Sequence, residues 1–403
     1  MSTWGYATSI AMLIVALAAP FLGVFGDIRG MRKKLFSFFM LLGVAACAGM
    51  AFTPGMDFTS GPVAAGKVAS LILVLYIVSV IGFDASAIYY DAFLTDVTTE
   101  DRMDKVSTMG YGLGYIGGST IPLLIFLIMN LVGVPMLTCL AVVFGLTAVW
   151  WLAFSLPLLK NCEQTSGKPY EKGDVARSIK GVGTTIKEII ANKPMLIYIL
   201  SYFFYIDRRA HRHQHGNHLW HQPGAGFHRH DAGVAAGTDS GPAVLPALHQ
   251  VQRKVRCPHH GGFGICVYMF ICIFAFFMNS LWQFWMLAVL CATSQGGIQA
   301  LSRSMYGKLI PDKDRSGEFF GFFDIFGKFS SIMGPALVGV VSSVVANGML
   351  GVQGLTAQTA TAEQIDAINA QSSHYGILSI IIIIIVGAVL YFGFLPKAEH
   401  AKQ

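Results

Sequence analysis

The stretch VSTMGYGLGYIGGSTIPLLIFLIMNLVGVPMLTCLAVVFGLTAVWWLAFSLPLL, residues 106–159, contains no Asp, Glu, Lys or Arg. About 20 mostly apolar residues can cross the hydrocarbon core of a membrane as a helix, because a helix satisfies its own backbone hydrogen bonds. The stretch is therefore long enough for two membrane-spanning helices. The sequence LVGVP at 131–135 is the natural turn between them.

Similar charge-poor runs follow one another along most of the chain. They lie at 1–26, 35–56, 66–90 (which carries Asp84), 257–302 (long enough for two spans, with a break near Asn279), 329–362 and 367–396. Only 12% of all residues are charged, against roughly 25% in soluble proteins, and 54% are hydrophobic. These values exclude a disordered chain, a secreted disulfide scaffold and an ordinary cytosolic enzyme. They predict an all-α polytopic membrane protein in a lipid bilayer, with no catalytic residues, cofactor or nucleic-acid partner.

Basic residues alternate between successive loops, and basic loops face the cytoplasm. Bases occur in the loops at 27–34, 96–107, 159–193 and 303–315, whereas 55–65 and 346–373 contain none. Lys397 and Lys402 place the C-terminus in the cytoplasm, and we expect a multi-pass protein of the cell (inner) membrane. The same alternation puts Met1 outside the cell. We therefore expect that a first helix is missing ahead of the first span.

Two segments of the chain match at one constant offset. The matched positions are Asp101-Arg102 with Asp314-Arg315, Gly114 with Gly327, and Pro122 with Pro335. Polytopic transporters are commonly built from two related halves with the substrate path between them. The repeat predicts two six-helix pseudo-symmetric bundles, at 1–158 and 194–403, joined by a cytoplasmic linker at 159–193.

The loop after the first span resembles the loop between helices 2 and 3 of the major facilitator superfamily. That superfamily has Gly, three residues, Asp, two residues, Gly and then bases, which corresponds here to Gly23, Asp27, Gly30, Arg32 and Lys33. Met31 stands where a base is common. The resemblance implies that the Asp and the bases form a conformational latch, which holds helix ends together in one of the alternating-access states. It also makes the first span of this chain helix 2.

Two further stretches resemble one branch of that superfamily, the vacuole-effluxer-like permeases related to autophagy amino-acid exporters. They are GFDASAIYYDAFL at 82–94 and QGGIQALSRS at 295–304. The resemblance implies 12 helices and a secondary active transporter, proton-coupled or an exchanger, that exports amino acids or similar small solutes. Such a permease would act as a monomer. The sequence has no nucleotide-binding loop that would support ATP-driven transport.

The histidines are unevenly distributed, since ten of the 12 lie within residues 208–261. One interpretation is a metal-binding loop, because imidazole suits Zn²⁺, and the chain would then be a His-rich metal-ion carrier. The alternative is a frameshift, because His codons translated one base later encode Thr, Ile or Met. An apolar helix out of frame would then look His-rich, with helices 7–8 disrupted. A third hypothesis is that the truncated, frameshifted chain is an inactive transporter remnant.

Ionisable groups inside membrane spans are costly in lipid and usually face a cavity or a partner. The substrate or proton path candidates of this kind, with two amides, are Asp84, Asp91, Gln295, Gln299, Arg303, Asp324 and Lys328. Asp84 is the preferred group for a substrate amine or a proton, whereas Asp91 could equally start the cytoplasmic loop. Asp324 and Lys328, one helical turn apart, could pair with one another. Arg303 could hold a carboxylate or anchor the cytoplasmic end of its helix.

Overall fold

A computed structural model describes most of the chain. The described residues are 3–56, 61–115, 117–118, 121–169, 174–206, 262–277, 280–355 and 359–396. The histidine-rich segment 208–261, Asn279, Lys397 and Lys402 lie outside them. The frameshift, the metal loop, the predicted break near Asn279 and the side of the membrane on which the chain ends therefore stay predictions.

Helices account for nearly all of the described chain. They are α1 (Thr3–Gly26), α2 (Met31–Phe52), α3 (Pro62–Ala92), α4 (Leu94–Val97), α5 (Met103–Tyr115), α6 (Ile121–Leu131), α7 (Met136–Asn161), α8 (Asp174–Ala191), α9 (Lys193–Tyr205), α10 (Gly262–Phe276), α11 (Leu281–Leu309), α12 (Ser316–Val352) and α13 (Ala362–Val389). Thr53–Gly55 and Lys313–Arg315 form short 3₁₀ helices, and Leu390–Phe394 forms a short π-helix.

Six helices of the described residues are long and apolar enough to cross a membrane. These candidate spans are Tyr6–Gly26, Met31–Gly55, Ala65–Val97, Met136–Asn161, Lys313–Val352 and Glu363–Phe394, and Ile121–Leu131 and Ile265–Phe276 are shorter apolar helices. The all-α polytopic class is confirmed. The turn predicted at 131–135 is also confirmed, because α6 ends at Leu131 and α7 begins at Met136. Gly133 supplies a left-handed backbone there, with φ +85°.

The helix α12 differs from what the charge-free runs suggest. The apolar run begins at Phe329, but the helix begins several turns before it, at Ser316. Charged residues within this first part pair with neighbours, so they continue the helix instead of ending it. The helix also continues to Val352, and α13 begins at Ala362. The base-free loop predicted at 346–373 is therefore shorter than expected.

The chain forms two compact units, each made of two segments. The first comprises Met1–Met195 and Arg303–Lys328, and the second comprises Leu196–Ser302 and Phe329–Gln403. The boundaries predicted at 158 and 194 belong to the sequence repeat, and they stay a prediction. The two-bundle symmetry likewise stays a prediction.

In the first unit, α2 packs against α3 and α7. Phe36, Met40 and Tyr89 belong to the buried apolar cluster between these helices. The backbones of α2 and α3 come close at Gly43 and Gly82, where a Cβ on Gly82 would lie 2.5 Å from the Gly43 nitrogen. Small residues permit such close helix packing in membranes. This packing fixes the position of the C-terminal half of α3, which carries Asp84 and Asp91.

The second unit contains most of α9, together with α10 and α13, among its described elements. Ser201 of α9 donates to the Gly387 carbonyl of α13 at 2.7 Å. A ring nitrogen of His374 in α13 lies 3.0 Å from the Phe276 carbonyl oxygen at the end of α10. These contacts satisfy polar groups that are buried or partly buried between apolar helices.

Candidate functional site

Charged side chains meet inside the first unit, between α3 and the first part of α12. Lys328 pairs with Asp324 one turn earlier on α12, as the i,i+4 spacing predicted. The Lys328 ammonium also lies 3.8 Å from the Asp84 carboxylate of α3, and only 8% of its side chain is exposed. One buried lysine is therefore shared by two carboxylates on two helices.

A second ion pair lies two turns further along α3. Arg303 of α11 donates to the Asp91 carboxylate at 2.9 Å and to the Ser107 hydroxyl at 3.0 Å. Its guanidinium also lies 4.9 Å from the Tyr90 ring centre and 5.0 Å from that of Tyr111. Cations over aromatic faces are stabilised by the ring quadrupole. Arg303 is therefore buried between a carboxylate and two rings, and its ion-pair partner Asp91 lies next to the end of α3.

The two glutamines among the candidates lie on the same helix as Arg303, in the part of α11 that belongs to the second unit. Gln299 is buried, and its amide nitrogen has no hydrogen-bond partner among the described residues. Gln295 is partly buried. The first unit thus brings together five of the seven candidates, and the two glutamines stay separate predictions.

The predicted latch loop lies against the start of α12. The Asp27 carboxylate accepts hydrogen bonds from the backbone amides of Gly317, at 2.7 Å, and Glu318, at 2.8 Å. These are among the first amides of α12, which have no partner within the helix. An anion at this end also interacts favourably with the helix dipole. Asp27 therefore acts as an external cap for α12.

Arg32 holds Asp27 from the other side. Its side chain is fully buried and donates to Asp27 at 3.0 Å. Its remaining partners are the carbonyl oxygens of Gly26 and Ala92, the carboxylate of Asp96, and the hydroxyls of Ser166 and Ser316. Because a guanidinium offers five N–H donors in a fixed plane, it can serve several helix ends at once. Lys33, by contrast, is only partly buried.

Burial dominates the electrostatics of Asp27. It raises the pKa of the Asp27 carboxyl from 3.8 to about 7, although the Arg32 guanidinium and the two amides lower it. Loss of hydration disfavours the charged form more than these donors favour it. The carboxyl therefore titrates near neutral pH.

Two glycines make this contact possible. A Cβ on Gly23 would overlap the carbonyl of Gly317, and a Cβ on Gly317 would lie 2.5 Å from the Gly23 oxygen. The backbones of α1 and α12 therefore touch at these positions. Gly30 has a different role, because its φ of +78° lets the chain turn into α2.

Comparison with known proteins identifies the family of the chain. The family described as "Vacuole effluxer Atg22 like" matches residues 1–102, 95–211 and 241–351. The chain belongs to this family. The MFS-type transporter YxiO of Bacillus subtilis strain 168 is similar to this effluxer-family chain, at 36% identity over 98% of the chain and 84% of the relative. Autophagy-related protein 22-1 of Penicillium rubens is 24% identical over 59% of the chain, but the match covers only 44% of that protein.

Solved transporters share the fold of this effluxer-family chain. The proton:xylose symporter XylE, of the major facilitator superfamily, matches 98% of this chain and 88% of its own, with a TM-score of 0.65 and 14% identity. A bacterial homologue of the iron transporter ferroportin in the outward-facing state has a TM-score of 0.61 and 12% identity, over 95% of this chain and 89% of its own. At these identities the likeness concerns the fold alone.

The sequence did not predict several residues that contact the latch loop in this effluxer-family chain. Asp96 binds Arg32, Ser316 accepts from it, and Gln164 binds the latch loop. Asp96 lies in the short helix α4 within a segment predicted as a basic loop, and Gln164 lies in the basic linker. No spacing rule connects them, since their partners lie on distant segments of the chain.

Proposed function

We propose that the chain is a secondary active transporter of the inner membrane, with a cytoplasmic C-terminus, that exports amino acids or similar small solutes by alternating access. The observation that carries the proposal is the pair of buried ion pairs, Asp84–Lys328 and Asp91–Arg303, within apolar helices. A charge inside a membrane span is costly and is kept where it serves a solute or ion path.

The shared lysine suggests how a proton is used. Lys328 lies between Asp84 and Asp324, so a proton on Asp84 leaves the ammonium with Asp324 alone. Loss of that proton restores the attraction across α3 and α12. Proton binding would thus change the force between two helices, which is what coupling to a proton gradient requires.

Arg303 is the preferred group for an anionic part of the solute. A guanidinium can bind a carboxylate through two parallel hydrogen bonds. In the structure Asp91 occupies this position at 2.9 Å. A solute carboxylate that displaces Asp91 would find the donors already aligned. An amino acid, with one amine and one carboxylate, has a group for each ion pair.

The latch supplies the second element of alternating access. Asp27 and Arg32 fix the start of α12 through Gly317, Glu318 and Ser316. Release of these bonds would free the helix, so the latched arrangement is one of two states. The transporter relatives and the proton:xylose symporter of the same fold support this assignment.

We further propose that one chain is sufficient for transport.

The experiment is solute exchange by the purified chain in proteoliposomes, with a mixture of labelled amino acids and an imposed pH gradient. We expect exchange by the native chain and a loss of about tenfold or more in Asp84→Asn. The matched control is Asp101→Asn, whose side chain is 74% exposed. It should exchange at close to the native rate.

Two results would contradict the proposal. One is the failure of the native, correctly folded chain to move any solute in the mixture. The other is an Asp84→Asn variant with native rate and native dependence on the pH gradient. If a solute is taken up at a rate that the pH gradient does not affect, the proposed coupling to protons is wrong, whereas the proposed transport function stands.

A further inference from the structure

A short segment after α7, residues 164–168, lies along the latch loop, and we call it the strap. The Gln164 amide makes four hydrogen bonds to that loop. Its oxygen accepts from the backbone amides of Gly30, at 2.9 Å, and Arg32, at 3.2 Å. Its nitrogen donates to the carbonyls of Gly26, at 3.0 Å, and Ile28, at 3.4 Å.

These four groups lie at the end of α1, in the turn after it and at the start of α2. Gly30 precedes α2 and has no side chain with which to cap it. The first amides of a helix and the last carbonyls of another lack partners within their own helices. The Gln164 side chain thus bridges the end of α1 and the start of α2, and it fixes the angle between them.

The rest of the strap pairs with the same loop through its backbone. Lys168 donates to the Asp27 carbonyl at 3.0 Å and accepts from the Arg29 amide at 2.9 Å, which makes an isolated parallel bridge. Gly167 has φ +113°, and a Cβ there would lie 2.6 Å from the Asp27 oxygen. Only glycine permits this approach.

The strap also contacts the other partners of the latch. Ser166 donates to Asp96 at 2.7 Å and accepts from Arg32 at 3.1 Å. The Gly167 amide donates to Asp314, just before α12 begins, at 2.9 Å. The strap is therefore bonded to the latch loop and to the approach to the helix that the latch holds.

We propose that the strap controls how firmly the latch closes, with Gln164 as the positioning residue of Asp27 and Arg32. The inference rests on the proposed function, because a latch matters only to a protein that alternates between states. Gln164 touches neither solute nor proton path. It acts by holding the backbone from which Asp27 and Arg32 reach the start of α12.

The first test follows the strap itself and needs no transport. Cys162 lies just before the strap, and burial raises the pKa of its thiol, so docking should slow its alkylation. In Gln164→Ala we expect alkylation of Cys162, followed by peptide mass spectrometry, to be about tenfold faster. The adjacent, exposed Glu163 supplies the control, and Glu163→Ala should react at the native rate.

The second test asks whether Gln164 acts through the latch. Exchange rates are measured for Gln164→Ala, Asp27→Asn and the double variant. If Gln164 acts only by positioning Asp27, adding Gln164→Ala to Asp27→Asn should not lower the exchange rate further. The double variant should then exchange at the rate of Asp27→Asn alone. A purely structural role predicts that the two losses multiply. Gln164→Glu, which keeps the acceptor and loses the donor, should lie between native and Gln164→Ala.

The outcomes separate the two proposals. Faster Cys162 alkylation in Gln164→Ala, with no transport by the native chain, supports strap docking and removes the transport function. Native transport with an unchanged alkylation rate in Gln164→Ala overturns the strap. Multiplying losses in the double variant also overturn the positioning role, even if alkylation is faster.

Discussion

The repeat places two Asp-Arg loops at equivalent positions of the chain, and their surroundings differ sharply. In the first loop the side chains of Asp101 and Arg102 are 74% and 78% exposed and lie 3.8 Å apart. In the second loop Arg315 is 20% exposed and binds Glu188 at 2.7 Å and Glu318 at 3.1 Å. Both loops precede a helix, α5 at Met103 and α12 at Ser316, and these two starts keep the offset of the repeat.

The difference teaches that a repeat predicts local structure better than tertiary partners. The second loop is held because the latch loop and α8 lie against it, through Asp27, Arg32 and Glu188. The first loop has one exposed contact with the second, Glu100 with Lys313 at 2.6 Å.

The largest expected effect on stability comes from removing Arg32, which binds both Asp27 and the Ser316 hydroxyl next to the second loop. Arg32→Ala leaves the buried carboxylates of Asp27 and Asp96 without their cation, which should cost about 3–5 kcal/mol. Thermal unfolding in detergent measures the loss. Lys34→Ala, at an exposed position on the same helix, should change stability by less than about 0.5 kcal/mol. Equal melting temperatures for the two variants would contradict the central role of Arg32.

The next effect tests the backbone contact beneath the second loop. In Gly23→Ala the new methyl overlaps the Gly317 carbonyl, and overpacking of this kind costs about 1–3 kcal/mol. We expect a lower melting temperature and faster exchange of the α12 amides that Asp27 accepts from. The control is Gly114→Ala, in the helix that follows the first loop, where no described atom from outside that stretch of helix lies within 4 Å of the added Cβ. A native-like Gly23→Ala would show that the two helices separate without cost.

A smaller effect should appear on changing pH. The pKa of Asp27 is raised to about 7 from 3.8, so its contribution to stability is complete at low pH and is lost as the pH rises through about 7. The slope is about 1.4 kcal/mol per pH unit between the two values. The Thr99 hydroxyl lowers the pKa of Asp101 in the first loop, so that carboxyl stays ionised over the same range.

The measurement is the melting temperature at about pH 5.5 and about pH 8, for the native chain, Asp27→Asn and Asp101→Asn. The native chain and Asp101→Asn should both be more stable at the lower pH. In Asp27→Asn this difference should shrink. A native pH dependence in Asp27→Asn would assign the titration to another group.

The smallest effect compares the two arginines directly. Arg315→Ala removes partly buried pairs with Glu188 and Glu318 and should cost about 1 kcal/mol. Arg102→Ala, at the equivalent position of the first loop, should cost less than about 0.5 kcal/mol. Parallel denaturation of the two variants measures the difference. Equal losses of unfolding free energy in the two variants would mean that the difference in exposure between the two arginines does not affect stability.

Much of the fold was predictable because it depends on local composition. The charge-free stretch at 106–159 predicts two helices and the turn at 131–135, since an apolar run of that length has no other stable form in a membrane. The turn and the helix after it are as predicted, whereas the part before the turn contains two shorter helices, α5 and α6, in place of one span. The pairing of Asp324 with Lys328 was predictable from helical spacing alone. The latch glycines and Asp27 came from the resemblance to a known loop.

The rest of the site depends on contacts between distant segments. Gln164 meets Gly30 across 134 residues, and Arg32 meets Ser316 across 284. A polar residue in a linker is usually solvated, and nothing in the local pattern marks Gln164 as hydrogen-bonded to helix ends. The seven candidates also divide between the two units. Gln299 and Arg303 lie on one helix, so nothing in the sequence indicated that they belong to different units.

The spacing of Asp84 and Asp91 along α3 has an electrical consequence. Two helical turns separate the two carboxylates by about 10 Å, a third of the roughly 30 Å hydrocarbon core. A charge that moves between them would cross about a third of the membrane potential, or about 0.8 kcal/mol for each ~100 mV. Under the proposed transport function, we therefore expect the membrane voltage to change the occupancy of the two ion pairs at constant pH and constant solute concentration.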